Sequence, residues 1–402
     1  MSQIIITGIT SCESRGVETL ARSIATQLTG WTQGRVTVLT QTPDLDAASL
    51  NGTGACCVAD PFVVSRAWKD FRPAESLESL DERRNQLLSE ADLVIGTGGD
   101  LYTSDYGVSG PYLRALIAAQ RQGVTTAMLG QSVGPFADDN DARQWSAVAL
   151  GCDVLTMRES VTRQYVVDEL GLPKEHVRLS SDPGFLLPSA PIASTASILA
   201  RLGLTVDRPY LCVAPSQGIT RFSGLAEDEH LAALLRLVRE LADGWRLPVL
   251  LVPHCHDSRA HNDDRILAAR IAAESGRPLV MAVTGSLGAK DYKGLLGHAD
   301  LVIAERLHAA ISALSSGTPA IAIGHSAKFK GVLTDTYGDT ISADSVHLDV
   351  RAFTRDASVI LRLIRETDRA ALRRTLHNRL PLVVGRAQED FALLKKLISQ
   401  NA

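Results

Sequence analysis

Short runs of apolar residues alternate with amphipathic stretches along nearly all of the 402-residue chain. Runs such as residues 4–6 and 92–95 are bounded by turn-forming residues, which is typical of strands buried on both faces of a parallel sheet. Between the runs, apolar residues recur at helical spacing, for example at Leu20, Ile24 and Leu28. This alternation predicts an α/β protein built from doubly wound parallel sheets.

A linker-like segment, PSAPIASTAS, interrupts the alternation and is rich in proline, serine and alanine. We place a domain boundary there, because linkers of this composition separate independent cores. The sequence therefore predicts an N-terminal Rossmann-like domain over residues 1–188 and a C-terminal one over 200–350, facing each other across a cleft. Residues 351–402 are predicted to form C-terminal helices, for which packing on the N-terminal domain is one arrangement.

Basic side chains are concentrated in the stretch ADLVIAERLHAAISALSSGTPAIAIGHSAKFK, residues 299–330. The pattern predicts a strand, a helix capped by glycine, a second strand and a basic loop. Arg306 and His308 follow the first strand, and Lys328 and Lys330 follow the second. Because the carboxyl ends of parallel strands bind ligands in open α/β sheets, this stretch predicts a cradle for a small anion. The alternative is that Arg306 forms an ion pair with Glu305 and that His308 is structural.

Two glycine-rich segments also follow predicted strands. They are GTGGD, which contains Gly98, Gly99 and Asp100, and GQSVGP, which contains Gln131. Neither matches the G-x-G-x-x-G fingerprint of dinucleotide-binding proteins or a P-loop. They are interpreted either as close-approach loops for a ligand or as tight turns between a strand and a helix.

Arg158 also ends a predicted strand, where a guanidinium can bind a carboxylate or phosphate through two parallel hydrogen bonds. The alternative is an ion pair with Glu159. The segment His254-Cys255-His256-Asp257 follows another strand. It contains possible metal ligands, but a polar loop lining the cleft is the favoured interpretation, and no metal is predicted.

The composition narrows the class of protein. The net charge of −4 argues against a nucleic-acid-binding protein, which would usually carry a basic excess. The six cysteines lack the paired spacing of a zinc ribbon or a secreted disulfide framework. No signal peptide and no transmembrane segment are recognisable. We therefore expect a cytoplasmic enzyme, with a peripheral position at the inner membrane face left open.

These features together resemble the polysaccharide pyruvyl transferase family. The motifs that carry the resemblance are Arg15-Gly16-Val17-Glu18, GTGGD at Gly96, GQSVGP at Gly130, RES at Arg158, SDPGFLL at Ser181, and ERLHAAISALSSGTPAIAI from Glu305 to Ile323. One position departs from the family pattern, since many members carry an aspartate where this chain has Val17. The resemblance implies a two-domain fold of the GT-B type. It also implies transfer of the enolpyruvyl group of phosphoenolpyruvate onto a sugar as a ketal, with release of phosphate.

The residues suit this reaction, since the donor carries two anionic groups and its methylene carbon must be protonated. An imidazole titrates near neutral pH, so His308 is the candidate acid. The predicted catalytic residues are His308, Arg158 and Glu18. The predicted substrate-binding residues are Arg306, Lys328, Lys330, Gly98, Gly99, Asp100, Gln131 and His254. The first domain is assigned to the acceptor and the second to the donor.

Phosphoenolpyruvate is expected as a donor substrate, with no cofactor. The partner is expected to be a sugar or glycan acceptor, and whether it is lipid-linked and whether the protein is a homo-oligomer are left open. Two other functions are weighed. One is a GT-B nucleotide-sugar glycosyltransferase, and the other is a catalytically silent sugar- or anion-binding protein.

Overall fold

The computed structural model of the protein describes residues 2–32, 34–62, 77–103 and 110–401. The chain divides into two compact units, each made of separate segments. The first unit comprises Met1–Cys12, Leu20–Pro183 and Val384–Ala402. The second unit comprises Glu13–Thr19 and Gly184–Val383.

The first unit contains a parallel sheet flanked by helices. Its strands are β1 (Gln3–Ile9), β2 (Arg35–Thr40), β3 (Cys56–Ala59), β4 (Leu93–Gly96), β5 (Gly99–Tyr102), β6 (Thr125–Val133), β7 (Val154–Met157) and β8 (Val177–Leu179). Its helices are α1 (Arg15–Thr29), α2 (Pro43–Ser49), α3 (Leu77–Ser89), α4 (Gly110–Arg121), α5 (Asp139–Leu150) and α6 (Ser160–Asp168). The first turn of α1 is the exception, because it belongs to the second unit.

The strand order of this sheet is β3-β2-β1-β4-β6-β7-β8, and β5 adds to β6. Neighbouring strands are parallel throughout, so their carboxyl ends lie at one edge. The strands are buried as continuous runs, as the apolar segments predicted. Trp145 of α5, Leu113 of α4 and Tyr102 of β5 are among the side chains that form the core beside the sheet.

The second unit repeats this architecture with six strands. They are β9 (Leu211–Ala214), β10 (Val249–Leu251), β11 (Val280–Ala282), β12 (Leu301–Ala304), β13 (Ala320–Gly324) and β14 (His347–Asp349). The helices are α7 (Ile192–Arg201), α8 (Ile219–Ser223), α9 (Glu227–Trp245), α10 (Asp264–Ser275), α11 (Ala289–Gly297), α12 (Leu307–Leu314), α13 (Ala327–Tyr337), α14 (Val350–Arg355) and α15 (Ser358–Glu366). The last helix, α16 (Arg369–Asn401), begins in the second unit, and from Val384 onward it belongs to the first.

The order β11-β10-β9-β12-β13-β14 reverses direction between β9 and β12. All five strand pairs are parallel. In doubly wound sheets, ligands bind beyond the carboxyl ends of the strands at such a switch point. The two parallel α/β sheets confirm the predicted fold class.

The basic stretch of residues 299–330 folds largely as its pattern predicted, with one correction. The predicted basic loop after β13 is wrong, because Lys328 and Lys330 lie in the first turn of α13. The physical reason is an amphipathic pattern, since Phe329, Val332 and Leu333 are buried at helical spacing. Helix α13 begins at Ala327, shortly after β13 ends at Gly324, and its two lysines lie on different sides of the helix.

Candidate functional site

Glu305, the residue after β12, connects this strand to the segment after β9 and to α9. Glu305 is buried, and its carboxylate accepts a hydrogen bond from the backbone N–H of Ser216 at 2.8 Å. Its other oxygen lies 2.7 Å from Nε2 of His230 on α9. Burial lowers the pKa of His230, but the Glu305 carboxylate raises it and the net direction is upward. The pairing of Arg306 with Glu305 that the sequence suggested is therefore wrong.

Arg306 instead forms a two-pronged ion pair with Asp264, the first residue of α10. Nε and Nη2 of Arg306 lie 3.0 and 2.7 Å from the two carboxylate oxygens. Asp264 is fully buried and also accepts the backbone N–H of Gln217 at 2.9 Å and that of His254. Burial raises the pKa of Asp264, and Arg306 opposes this. One carboxylate thus fixes the segments that follow β9, β10 and β12.

The first turn of α1 supplies a second arginine to this edge of the second unit. The backbone N–H of Arg15 donates to the carbonyl of His254 at 3.0 Å. Nη1 of Arg15 lies 2.8 Å from the Glu18 carboxylate, and Nη2 lies 3.0 Å from Nδ1 of His256. Nε2 of His256 lies 2.8 Å from the hydroxyl of Tyr292. These contacts link Glu18, Arg15, His256 and Tyr292 in one buried chain.

The protonation of His256 follows from this arrangement. Burial and the charge of Arg15 lower its pKa to about 4. The ring is therefore neutral at pH 7. Because a guanidinium can only donate, Nδ1 accepts from Arg15 and Nε2 donates to the Tyr292 oxygen.

His254 is buried and has an incomplete set of hydrogen bonds. Its Nε2 has no hydrogen-bond partner among the described residues. The ring centroid lies 6.0 Å from that of Tyr292. Burial lowers the pKa of His254 well below its usual range, and the neighbouring His308, Arg306 and Arg15 lower it further. His254 is thus a neutral imidazole in a cationic surrounding.

His308 lies in the first turn of α12, and its ring packs closely against Gly16 of α1. A Cβ at position 16 would lie 2.7 Å from Nδ1 of His308 and 3.0 Å from its Cγ. Only glycine leaves room for the ring, since contacts this short do not occur in folded proteins. The structure therefore brings His308, Arg306, His254 and Glu18 together, as the prediction of one site requires.

The two lysines of α13 separate. Lys328 is buried, with 8% of its surface exposed. Lys330 is on the exposed side of the helix, and its Nζ lies 3.1 Å from the Asp344 carboxylate. The structure therefore directs Lys328 inward and Lys330 towards solvent.

In the first unit, Arg158 is buried in an acidic surrounding. Its Nη1 lies 2.7 Å from the Asp182 carboxylate, and its Nε donates to the Ser132 hydroxyl at 2.6 Å. Glu159, the partner that the sequence suggested, is farther away at 3.6 Å. Burial lowers the pKa of Arg158, but Asp182, Glu159 and Asp100 raise it more. Its catalytic role stays a prediction.

In the glycine-rich segment after β4, close packing and backbone conformation account for the glycines. A Cβ at Gly98 would lie 2.8 Å from the carbonyl oxygen of Leu129, and Gly99 has a φ of +105°. Gln131 is fully buried, and its Nε2 donates to the Leu129 carbonyl at 3.3 Å and to that of Gly96 at 3.4 Å. These residues are brought together, and backbone packing alone explains both glycines.

The possible metal ligands after β10 bind other groups. Both carboxylate oxygens of Asp257 contact the Arg259 guanidinium. The side-chain amide of Asn262 lies 3.5 Å from Sγ of Cys255. Over residues 2–32, 34–62, 77–103 and 110–401, no group of three or more His, Cys, Asp or Glu side chains could hold a metal ion.

Arg15, Tyr292 and Asp264 are residues of this site that the predicted set does not include, and His256 was considered only as a possible metal ligand. Arg15 lies in a recognised motif, which was a usable signal. Asp264 begins a helix, but nothing local indicates that it contacts Arg306, which is 42 residues away.

The fold and this site define the class of protein, a two-unit α/β protein of the GT-B type. UDP-GlcNAc 2-epimerase from Neisseria meningitidis, bound to UDP-GlcNAc, is similar with a TM-score of 0.62 and 10% identity, covering 99% of this chain and 100% of that one. HepE from Anabaena, in complex with UDP and glucose, gives 0.60 and 12%, covering 100% of both chains. At such identities the likeness concerns the fold alone.

The family follows from the sequence. The family model "Polysaccharide pyruvyl transferase" matches residues 45–327, and the chain belongs to this family. Amylovoran biosynthesis protein AmsJ from Erwinia amylovora is 25% identical over 276 residues, which are 66% of this chain. The match spans 63% of that relative's length. The predicted resemblance is thus confirmed. Among the described residues, no helix is long and apolar enough to cross a membrane.

Proposed function

We propose that this protein transfers the enolpyruvyl group of phosphoenolpyruvate to two hydroxyls of one sugar during polysaccharide biosynthesis. The products are a cyclic pyruvate ketal and inorganic phosphate. Family membership supports the reaction class. The observation that carries the proposal is the gathering of Arg15, His254, Arg306 and His308 at the carboxyl ends of the strands of the second unit. A donor with a carboxylate and a phosphate requires such a set of cationic and hydrogen-bonding groups.

In the proposed reaction, the imidazolium of His308 gives its proton to the methylene carbon of the donor. The neighbouring carbon becomes cationic, and a sugar hydroxyl attacks it while Glu18 accepts the hydroxyl proton. The bond from this carbon to the phosphate oxygen then breaks, and the second hydroxyl closes the ring. One proton enters the methyl group and two leave the hydroxyls, so phosphate departs with one of them and the other restores the acid.

The donor-binding roles are proposed from contacts within the second unit. Arg306, oriented by Asp264, and the inward Lys328 are proposed to bind the anionic groups of the donor. Lys330 is also proposed to bind the donor, but with a smaller contribution, because its ammonium already pairs with Asp344.

Residues of the first unit are assigned to the acceptor. These are Gly98, Gly99, Asp100 and Gln131, with Arg158 as the group that balances the charge of Asp182 and Asp100. The acceptor is proposed to be a sugar of a growing glycan or its precursor, and the reaction is proposed to take place in the cytoplasm.

A nucleotide-sugar glycosyltransferase is the second candidate, because proteins of similar fold bind UDP-GlcNAc or UDP with glucose. Phosphorus NMR distinguishes the two. The protein is incubated with phosphoenolpyruvate and a panel of glycans, and in parallel with UDP-sugars and the same glycans. Release of inorganic phosphate and loss of phosphoenolpyruvate supports pyruvyl transfer. Release of UDP in the parallel reaction, with phosphoenolpyruvate unchanged, contradicts it.

The acid role of His308 is tested in the same assay. We expect His308→Ala to reduce transfer by at least about a hundredfold, since a positioned general acid contributes about this much. Binding of phosphoenolpyruvate, followed by thermal shift, should persist. The control is His298→Ala, which removes an exposed histidine at the end of α11. Near-normal turnover by the His308 variant would exclude the acid role.

A further inference from the structure

The backbone of His254 makes two hydrogen bonds, one through its carbonyl and one through its N–H. Its carbonyl accepts the N–H of Arg15 at 3.0 Å, and its own N–H is bound by the Asp264 carboxylate. The ring packs near Tyr292 and is 98% buried, since 2% of the residue is exposed. The position of the imidazole is therefore fixed by three separate elements.

This fixed ring carries an unsatisfied polar atom. Nε2 of His254 is buried without a hydrogen-bond partner among the residues that the structure describes. A buried polar atom without a partner reduces stability, because it has lost its hydrogen bonds to water and gained none in the protein. Such a cost is expected at a position where a ligand completes the hydrogen bonding, and it sets His254 apart from His256, whose two ring nitrogens are both bound.

The charges around His254 make it sensitive to an anion. Cationic or protonatable groups act on it from three sides: Arg15 on α1, Arg306 and His308 after β12, and His256 on its own segment. Facing groups of other character are the Asp264 carboxylate at the start of α10 and the Tyr292 hydroxyl on α11. A phosphate entering this surrounding adds negative charge, which favours the protonated imidazole.

We propose that His254 is a second proton-transfer residue of this site, which takes up a proton when the anionic donor binds and delivers it to the departing phosphate. This rests on the proposed function. A solvent proton binds Nε2 as the donor enters. When the carbon–oxygen bond to phosphate breaks, its electron pair stays on the phosphate oxygen, and that oxygen takes the proton from Nε2. His254 returns to the neutral form, and the separate proton for the methylene carbon comes from His308. Of the two hydroxyl protons, one restores His308 and the other passes to solvent, where it replaces the proton that His254 took up. In the overall balance, the phosphate still leaves with the equivalent of one hydroxyl proton.

The first test counts protons by titration calorimetry. Phosphoenolpyruvate is titrated into the full-length protein in buffers of different ionisation enthalpy at a pH slightly above neutral. The wild type and the exposed-site control His298→Gln should both take up a fraction of a proton on binding. His254→Gln should lose this uptake. Equal uptake by His254→Gln and the wild type would overturn the proposal.

The second test uses sulfate, a dianion whose own charge does not change over this pH range. If one proton is linked to binding, the affinity for sulfate falls by about tenfold per pH unit between the pKa of His254 in the free protein and its higher pKa in the sulfate complex, and it levels off above the latter. His254→Gln should flatten this dependence and His298→Gln should not. An unchanged slope in His254→Gln, or no slope in the wild type, overturns the inference.

The sulfate test separates this inference from the proposed function. If phosphoenolpyruvate is not consumed but the sulfate slope depends on His254, pyruvyl transfer fails and proton uptake stands. If transfer occurs and the slope does not depend on His254, the reverse holds. Should His254→Gln fail to fold, the wild type labelled with nitrogen-15 histidine still decides. Addition of sulfate should convert one neutral imidazole to imidazolium, and a spectrum without this change contradicts the proposal.

Discussion

At the scale of single residues, Gly16 matters because it has no side chain where the ring of His308 packs against α1. It lies in a helix, where glycine is usually less stable than alanine by about 0.5–1 kcal/mol. Yet an alanine Cβ would lie 2.7 Å from Nδ1 of His308, so the ring would have to move. We expect Gly16→Ala to lower transfer by about tenfold or more, because small displacements of reacting groups are costly. The free energy of unfolding should change little.

Gly244 provides the matched control for this substitution. It also lies in a helix, α9, and no heavy atom of the described residues would lie within 4 Å of a Cβ at this position. Gly244→Ala should raise the free energy of unfolding slightly and leave transfer unchanged. Steady-state rates and denaturant unfolding measure both quantities. If both variants keep full transfer, the close packing of His308 on Gly16 is irrelevant to the reaction.

Asp264 is the second residue for which the structure makes a sharp prediction. Asp264→Asn keeps one hydrogen-bond acceptor but removes the charge that faces Arg306. We expect a loss of about 1–3 kcal/mol in the free energy of unfolding, because the partly buried guanidinium of Arg306 loses its charged partner. The ratio kcat/KM should fall by about tenfold, since Arg306 and His254 are no longer held.

The neighbouring Asp263 serves as the control for Asp264. Its carboxylate caps α10 by accepting the backbone N–H of Arg265 at 3.0 Å. Asparagine caps a helix about as well as aspartate, so Asp263→Asn should behave like the wild type. An Asp264→Asn variant with unchanged kcat/KM would show that this ion pair only stabilises the unit.

At the scale of elements, the last part of α16 is attached to the first unit through a buried carboxyl. Asp390 accepts the Thr156 hydroxyl at 2.9 Å and the Ser180 hydroxyl at 2.7 Å. Burial raises the pKa of Asp390 to about 7, although these two hydrogen bonds and Arg178 oppose the increase and Glu389 adds to it. In an unfolded chain the value is about 3.9. The folded state therefore binds this proton more tightly.

The sign of the pH dependence follows from this difference. The stabilising contribution of protonated Asp390 is fully present below about pH 4 and is lost as the pH rises through about 7. We expect the free energy of unfolding to fall from about pH 5 to pH 8.5 by roughly 2–4 kcal/mol from this group. Asp390→Asn should remove that part of the slope. Denaturant unfolding across the range measures it. The control is Glu175→Gln, which changes an exposed carboxylate that is not among the groups acting on Asp390. Equal slopes in both variants contradict the assignment.

Elements also show where local pattern was sufficient. Strands β12 and β13 and the glycine that ends α12 agree with prediction, because burial on both faces and the left-handed backbone of Gly317 are local properties. Helix α13 was predicted as a loop because two lysines follow closely after a strand. The apolar residues at positions 329, 332 and 333 carried the helical signal.

At the scale of the whole molecule, chain order and spatial units differ. Residues 384–402 belong to the first unit although they follow the second along the chain. Four apolar side chains of this segment are buried: Ala387, Phe391, Leu394 and Ile398. Each large one contributes about 1.5–3 kcal/mol by burial.

Removing residues 384–402 should therefore destabilise the first unit selectively. We expect hydrogen exchange to accelerate in β6, β7 and β8, while β9 to β13 keep their protection. Mass spectrometry of the exchanged peptides measures both sets of strands in one sample. A chain ending at Ser399 retains the four buried side chains and is the control. Equal acceleration in both units would contradict the division.

The sequence by itself determined the alternation of buried strands and amphipathic helices, and with it two doubly wound parallel sheets and the pyruvyl transferase motifs. These depend on residues near one another in the chain. Only the tertiary structure decided which polar side chains meet, since the partners come from distant segments. Arg306 meets Asp264 across 42 residues, Thr156 meets Asp390 across 234, and Arg15 meets His256 across 241. Ion pairing and hydrogen bonding in the interior depend on distance in space, which local periodicity does not encode.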